Sequence, residues 1–364
     1  MTSSLCELSV SFTLSLIVLL KIYSLNIVLL RFFFLPIWIG KLFVGLVVMA
    51  RYDYQPRYGL ENYTLVLPLE DTFDAVKSTE WMQESWIHSI TFSVAYVALI
   101  YAGQKVMESR KPFGLDMPLF VWNMGLAIFS FLGFMRMTPE WVWSWKENSF
   151  VYSVCTASFA QGVTGFWTEQ FAMSKVAELI DTAFIVLRKR PLLFLHWYHH
   201  VTVLVYTWHA YKDHTASGRW FIWMNYGVHA MMYTYYALRA LRIRLPKQIA
   251  MVVTVLQISQ MIMGIWIGVT VYRTKSSGEQ CQQTWENLGL CFTIYFTYFL
   301  LFCNFFYHAY LKKNNRYTSA IKTTAKQTQT TAELQQLKED INANISETTV
   351  VTRSTTRRRA QKVD

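Results

Sequence analysis

The chain has 364 residues, 53% hydrophobic, 16% aromatic and only 16% charged, with a formal net charge of +11. A soluble domain carries about 25% charged residues; here the charges separate long apolar runs, which excludes an ordinary soluble globule and points to a polytopic helical membrane protein. Nucleic-acid binding does not follow from the +11, because the basic residues gather at the ends of apolar runs and in the last fifty residues, where membrane orientation accounts for them.

In chain order, residues 1–50 form a hydrophobic N-terminal extension, apolar from Ser9 to Ala50 apart from Lys21, Arg31 and Lys41. It reads either as one or two further membrane helices or as a gene-model artefact with Met49 as the true start. Residues 51–85 are a non-cytoplasmic segment holding the sequon Asn62-Tyr63-Thr64, so Asn62 is an expected glycosylation site. Residues 86–316 hold seven apolar runs, each near the roughly 20 residues that a spanning helix needs. They fall at about 86–104, 117–136, 164–187, 195–212, 219–238, 248–272 and 288–310. The third is the most polar, with Thr168, Glu169, Lys175, Glu178 and Asp181, and is expected to be buried among the others. From 317 to 364 the composition turns to Thr, Gln, Lys, Glu and Ser, a disordered cytoplasmic tail; the sequon at Asn344 lies in it and is expected to carry no sugar.

Loop charges set the orientation. Lys105, Arg110 and Lys111, then Arg188, Lys189 and Arg190, then Arg239, Arg242, Arg244 and Lys247, then Lys312, Lys313 and Arg316 follow the odd-numbered spans. The positive-inside rule makes these loops cytoplasmic. Asn62, Cys155 and Cys281 then share the opposite side, where oxidation is permitted, and a Cys155–Cys281 disulfide is predicted. Cys291 and Cys303 lie inside an apolar run as packing residues. The cytoplasmic basic face suits an anionic substrate such as a coenzyme A thioester.

Four polar constellations interrupt the apolar runs. His196, His199 and His200 stand at i, i+3 and i+4, on one helix face. His229 lies in a stripe with Asn225, Met232 and Tyr236, beside Tyr233 and Tyr235. Lys175, Glu178 and Thr182 share a face, with Asp181 beside it, and Thr254, Gln257 and Gln260 form the fourth set. Isolated polar residues in a bundle commonly serve as interhelical glue, and that reading stays open for the last two sets. His209, His214 and His308 lie near span ends and read as interfacial. A histidine trio with His229 exceeds what glue requires and marks a functional site.

A metal would make this a membrane di-iron desaturase or hydroxylase. Such sites draw on about eight histidines; this chain has eight in all, of which His88, His214 and His308 are badly placed, so no metal is expected and the di-iron reading is the alternative. A receptor or transporter would leave four ordered motifs without a role. Without a metal, a water-poor imidazole can move protons or attack a thioester and carry the acyl group.

In order and spacing, the runs Lys175-to-Thr182, His196-to-His200, His229-to-Tyr236 and Thr254-to-Gln260 resemble the boxes of the ELO fatty acid elongases, over roughly residues 66–315. His-Trp-Tyr-His-His at 196–200 resembles the subgroup acting on saturated and monounsaturated chains. The N-terminal extension and the long tail depart from the family, and the tail lacks a dilysine retrieval signal. The resemblance implies seven helices, six of them closed around an acyl tunnel, in the endoplasmic reticulum membrane. It implies condensation of a long-chain acyl-CoA with malonyl-CoA, a co-substrate, to 3-oxoacyl-CoA, CO2 and CoA, with no cofactor. The implied partners are the reductase, dehydratase and enoyl reductase that process the product; membrane lipid surrounds the chain, and a homodimer is compatible with the sequence. On this reading His199 is the nucleophile, His229 moves protons, and His196 and His200 orient or act as base. Asn225 and Gln257 bind developing oxyanions, Lys175 and Glu178 set the pocket's electrostatics, and Asp181, Tyr233, Tyr236 and Gln260 support them. Trp223 and Trp266 are candidates for closing the tunnel.

Overall fold

The computed structural model describes residues 58–311; the expectations for residues 1–50 and for the tail lie outside them. All regular structure among the described residues is helical. After a short 3-10 turn at Leu60–Asn62 come α1 (Ala75–Ser85), α2 (His88–Glu108), α3 (Asp116–Trp143), α4 (Phe150–Cys155) and α5 (Gly162–Ala177). They are followed by α6 (Ile180–Leu187), α7 (Phe194–Lys212), α8 (Gly218–Ala240), α9 (Lys247–Ser276) and α10 (Trp285–Phe306). Side-chain caps start α1, α4 and α10. Asp74 accepts from the N–H groups of Val76 and Lys77, Ser149 from Tyr152 N–H and Thr284 from Asn287 N–H, satisfying donors that a helix start leaves open.

Among the described residues four helices are long and apolar enough to cross a membrane: His88–Glu108, Asp116–Asn148, Lys247–Ser276 and Trp285–Leu311. The protein is a multi-pass membrane protein. The remaining expected spans carry three of the four polar constellations and are shorter or less apolar. The run 164–187 is not one continuous helix as the apolar pattern predicts. Between α5 and α6 the N–H groups of Leu179, Asp181 and Thr182 bond the carbonyls three residues back, at Val176, Glu178 and Leu179. This tighter winding rotates the second half, so the expected single stripe from Lys175 to Thr182 is split among several neighbours. Two short helices, α1 and α4, were not expected.

The helices pack pairwise: α3 along α8, α8 on α9, α9 on α10, α10 on α7, α7 on α5 and α5 on α3, while α2 lies against α6 and α7. The α3–α8 seam is close because Gly133 faces the Tyr226 ring, where any Cβ would collide. Along the same seam the Trp141 and Trp223 indoles stack with centroids 3.7 Å apart and planes 6° from parallel. Trp223 is thus part of the seam packing, and Trp266, 63% exposed, faces outward.

Polar bonds pin the ends. At one end the Cys155–Cys281 disulfide joins the last residue of α4 to the α9–α10 loop. Buried Arg219 forks onto Glu140, with Nε at 2.9 Å from Oε2 and Nη2 at 2.9 Å from Oε1, and also donates to the Ser153 carbonyl. At the other end Asp116 accepts from Arg188 at 2.7 Å and from Arg242 at 2.6 Å, tying three chain segments together. Asn62 is exposed. Glu70, in the loop before α1, is 1% exposed and accepts from Arg136, Trp167 Nε1 and Leu67 N–H. Burial alone would raise its pKa, but these donors, the Arg136 guanidinium foremost, hold the carboxyl below its ordinary range. A lowered folded-state pKa stabilises the fold above the unfolded carboxyl pKa of about 4.3 and is lost as pH falls through the folded value. Glu70→Gln is therefore expected to lower thermal stability by on the order of 3 kcal/mol at pH 7, with a gap to wild type that narrows below about pH 4; thermal unfolding in detergent across pH checks it.

Candidate active site

Helical spacing projects three imidazoles from α7, and the structure gives each a different neighbour. His196 Nε2 lies 2.9 Å from Thr182 Oγ1, whose other partner, at 2.6 Å, is the Tyr96 hydroxyl of α2. His200 is buried, its ring centroid 4.5 Å from that of His196, and its Nδ1 has no hydrogen-bond partner among the described residues. His199 is only partly buried, so it keeps an accessible face. Its ring lies 5.0 Å from that of Tyr298 on α10, and the Tyr298 hydroxyl donates to the His199 carbonyl at 3.2 Å. The side of α7 toward α10 is fixed by Tyr198 against Thr297 and by Thr202 against Tyr298.

From α8, His229 is buried at 7% exposure, with Nδ1 4.0 Å from Glu178 Oε2. Glu178 Oε1 takes the Lys175 ammonium at 2.7 Å and the Ser174 hydroxyl at 3.0 Å, whereas Oε2 has no hydrogen-bond partner among the described residues. Lys175 Nζ also reaches Asn225 Oδ1 at 3.2 Å. The Lys175–Glu178 pair is buried, a costly arrangement unless its charge is used or fully matched. His199 and His229 are close enough for charge on one to act on the other, and Lys175 acts on both. Two imidazoles, a carboxylate, an ammonium and a primary amide from α5, α7 and α8 thus share one electrostatic neighbourhood.

Other expected site residues sit further out. Asp181 accepts from Trp122 Nε1 at 2.6 Å and Tyr233 OH at 2.7 Å, bracing α3, α6 and α8. Tyr236 is 45% exposed and so lies at the outer end of its stripe, outside the buried cluster. Gln257 donates to Met232 Sδ at 3.4 Å, which turns its amide toward α8. Gln260 is buried in α9, and no hydrogen bond among the described residues ties it to the histidines. His209 and His214 are not interfacial: both are buried, His209 on Asn287 Oδ1 and His214 on Thr79 Oγ1. Burial pushes the His214 imidazole, in the α7–α8 loop, down to about 4. Tyr96 and Tyr298, which contact the trio, escaped the sequence reading because each shares an apolar helix with another tyrosine, Tyr101 or Tyr295, and nothing local marks it as a neighbour of a histidine on another helix.

No group of three or more His, Cys, Asp or Glu among the described residues could hold a metal ion. A mostly apolar cavity of about 60 Å3 opens beyond the histidines, its lining including Phe159, Thr168, Phe171, Tyr206, Ala210 and Phe221. Tyr206 follows His199 by seven residues and Ile222, also in the lining, precedes His229 by seven, so the cavity begins about 10 Å along both helices at 1.5 Å per residue.

Comparison with known proteins adds an independent line. Residues 81–318 match the family described as ELO: GNS1/SUR4 family. A Caenorhabditis elegans protein named "Putative fatty acid elongase 3" is 71% identical over 320 residues, covering 87% of this chain and 100% of that protein. "Very long chain fatty acid elongase 6" of Rattus norvegicus is 44% identical over 253 residues, 69% of this chain and 95% of its own. Its Drosophila melanogaster namesake is 43% identical over 254 residues, 69% of this chain and 80% of its own. These similarities leave the desaturase alternative without support. A chain this similar over this much of its length, with the family's histidine-bearing helices meeting beside an apolar cavity, belongs to the ELO, or GNS1/SUR4, family of fatty acid elongases.

Proposed function

We propose that the chain condenses a long-chain saturated or monounsaturated acyl-CoA with malonyl-CoA, giving a 3-oxoacyl-CoA two carbons longer, CO2 and CoA, without a resident cofactor. The observation that carries this reading is the buried His229–Glu178–Lys175–Asn225 group, with the partly buried His199 in its electrostatic neighbourhood and an apolar cavity further along the same two helices. The names of the relatives support the acyl chemistry.

In the first step a His199 ring nitrogen attacks the thioester carbonyl. The C–S bond breaks, CoA leaves, and the imidazole's N–H proton passes to the thiolate through His229. In the second step malonyl-CoA loses its carboxylate as CO2, and the electrons of that C–C bond form an enolate that attacks the acyl carbonyl. The C–N bond to His199 breaks, and the freed imidazolate takes one proton from solution. Asn225, held by Lys175, stabilises developing oxyanions; Glu178 steadies positive charge on His229. His196, fixed by Thr182 and Tyr96, and His200 keep α7 in register and the pocket dry. An acyl-imidazole in a water-poor site is shielded from hydrolysis.

The packing order α3–α5–α7–α10–α9–α8 returns to α3 and supports six helices around an acyl tunnel, with α2 as the seventh outside. The loop charges and the paired cysteines support a multi-pass protein of the endoplasmic reticulum membrane with its tail in the cytoplasm, where the basic loops meet the CoA phosphates. Residues 86–316 are then the catalytic unit, and the reductase, dehydratase and enoyl reductase of the cycle take its product. Intact mass spectrometry of the purified protein with acyl-CoA alone is the test. An adduct of one acyl group is expected on wild type and absent from His199→Ala; no adduct, or one that survives that substitution, discards the covalent step.

A further inference from the structure

At the cavity's far end two loops join the long helices in its lining: the α4–α5 loop, which contributes Phe159 and Ala160, and the α7–α8 loop, which contributes His214 and Thr215 ahead of Gly218. Two loops make a poor wall unless something holds them, because every methylene added to an acyl chain gains by burial and pushes on whatever stops it.

One residue holds both. Gln282, in the α9–α10 loop, donates its N–H to the Cys155 carbonyl at 2.9 Å, and its own carbonyl accepts from Ala216 N–H at 2.8 Å. Its side-chain Oε1 accepts from Ala157 N–H. Ala157 and Ala216 are buried at 3% and 0%, and each lies within two residues of a lining residue. The preceding residue, Cys281, is in the disulfide with Cys155. The following residue, Gln283, is buried and accepts from the Ser217 hydroxyl at 2.7 Å. A three-residue clasp, 281–283, therefore fastens both end loops, one of its five links being covalent.

We propose that Gln282, locked beside the Cys155–Cys281 cystine, is a positioning residue for the cavity's end wall and sets the maximum acyl length the enzyme makes. The proposal rests on the condensing reading above and adds a length stop located outside the four polar constellations. Gln282 touches neither substrate nor histidine; it acts through Ala157 and Ala216 on the loops that line the cavity. With the clasp released the loops give way, and chains one cycle longer fit.

The test is incorporation of radiolabelled malonyl-CoA by membranes carrying the full chain, with a ladder of acyl-CoA primers and analysis of product length. For Gln282→Ala, the ratio of the next longer product to the wild-type end product is expected to rise roughly tenfold, the scale on which an apolar pocket discriminates one methylene. Turnover of the shortest primers should stay near wild type. Gln282→Glu, which keeps an acceptor for Ala157 N–H, should restore the wild-type profile. Because Gln282→Ala could fail to accumulate, folded wild type is also treated with dithiothreitol, which supplies the two electrons and two protons that convert the cystine to two thiols. The same lengthening is expected, with no response in Cys155→Ala/Cys281→Ala. An unchanged length profile after reduction, with incorporation intact, overturns the clasp alone. No incorporation by oxidised wild type with any primer overturns the condensing reading itself.

Discussion

His199→Ala is expected to lower malonyl-CoA incorporation by at least about 10³-fold, and His229→Ala by about 10²–10⁴-fold, while both proteins keep wild-type yield. The two losses should differ in kind. Without His199 no nitrogen is placed to accept the acyl group, so both the adduct and the product vanish. Without His229, His199 keeps its accessible face and its Tyr298 contact, so an adduct still forms slowly while the proton traffic stalls. The folds should survive because neither ring carries a packing load comparable with its neighbours: Tyr198 and Thr202 hold α7 to α10, and Tyr226 and Gly133 hold α8 to α3. Equal adduct yields in wild type and both variants would remove histidine from the chemistry altogether.

Arg219→Ala is expected to cost about 3–5 kcal/mol, a large part of a typical stability of 5–15 kcal/mol. Arg219 is 0% exposed, and its guanidinium serves both oxygens of Glu140, the Ser153 carbonyl and the Ser158 hydroxyl. Removing it strands a buried carboxylate that is 1% exposed, and that stranded charge, more than the lost attraction, supplies most of the penalty. The double variant Arg219→Met/Glu140→Leu leaves no charge behind and should recover much of the loss. Fluorescence-detected size exclusion after heating gives both values; a single variant as heat-stable as wild type would contradict the assignment.

Helical class, apolar spans and the motif faces were legible because each is a property of one segment. Spacing alone puts His196, His199 and His200 on one face, and Lys175 with Glu178 within reach of each other. Partnership between helices is not a periodic property. Nothing near Tyr96 or Tyr298 marks them as neighbours of His196 and His199, and Tyr236 falls in register with His229 yet lies too far along α8 to be enclosed. The α5–α6 break was invisible for a related reason: residues 174–182 contain no Pro or Gly, so the tighter winding arises where side chains reach to neighbouring helices, not from a local breaker. Cavity-closing residues were sought among tryptophans because bulk is readable, whereas the end wall includes two loops secured by a glutamine.

The parallel indoles of Trp141 and Trp223 have a consequence beyond packing. Aromatic planes this close and this nearly parallel couple their electronic transitions, one from each side of the α3–α8 seam. The molecule therefore contains its own optical gauge of that seam: a far-ultraviolet dichroism couplet that persists while the two helices remain in register and fades when they separate, readable without dye, label or acyl chain.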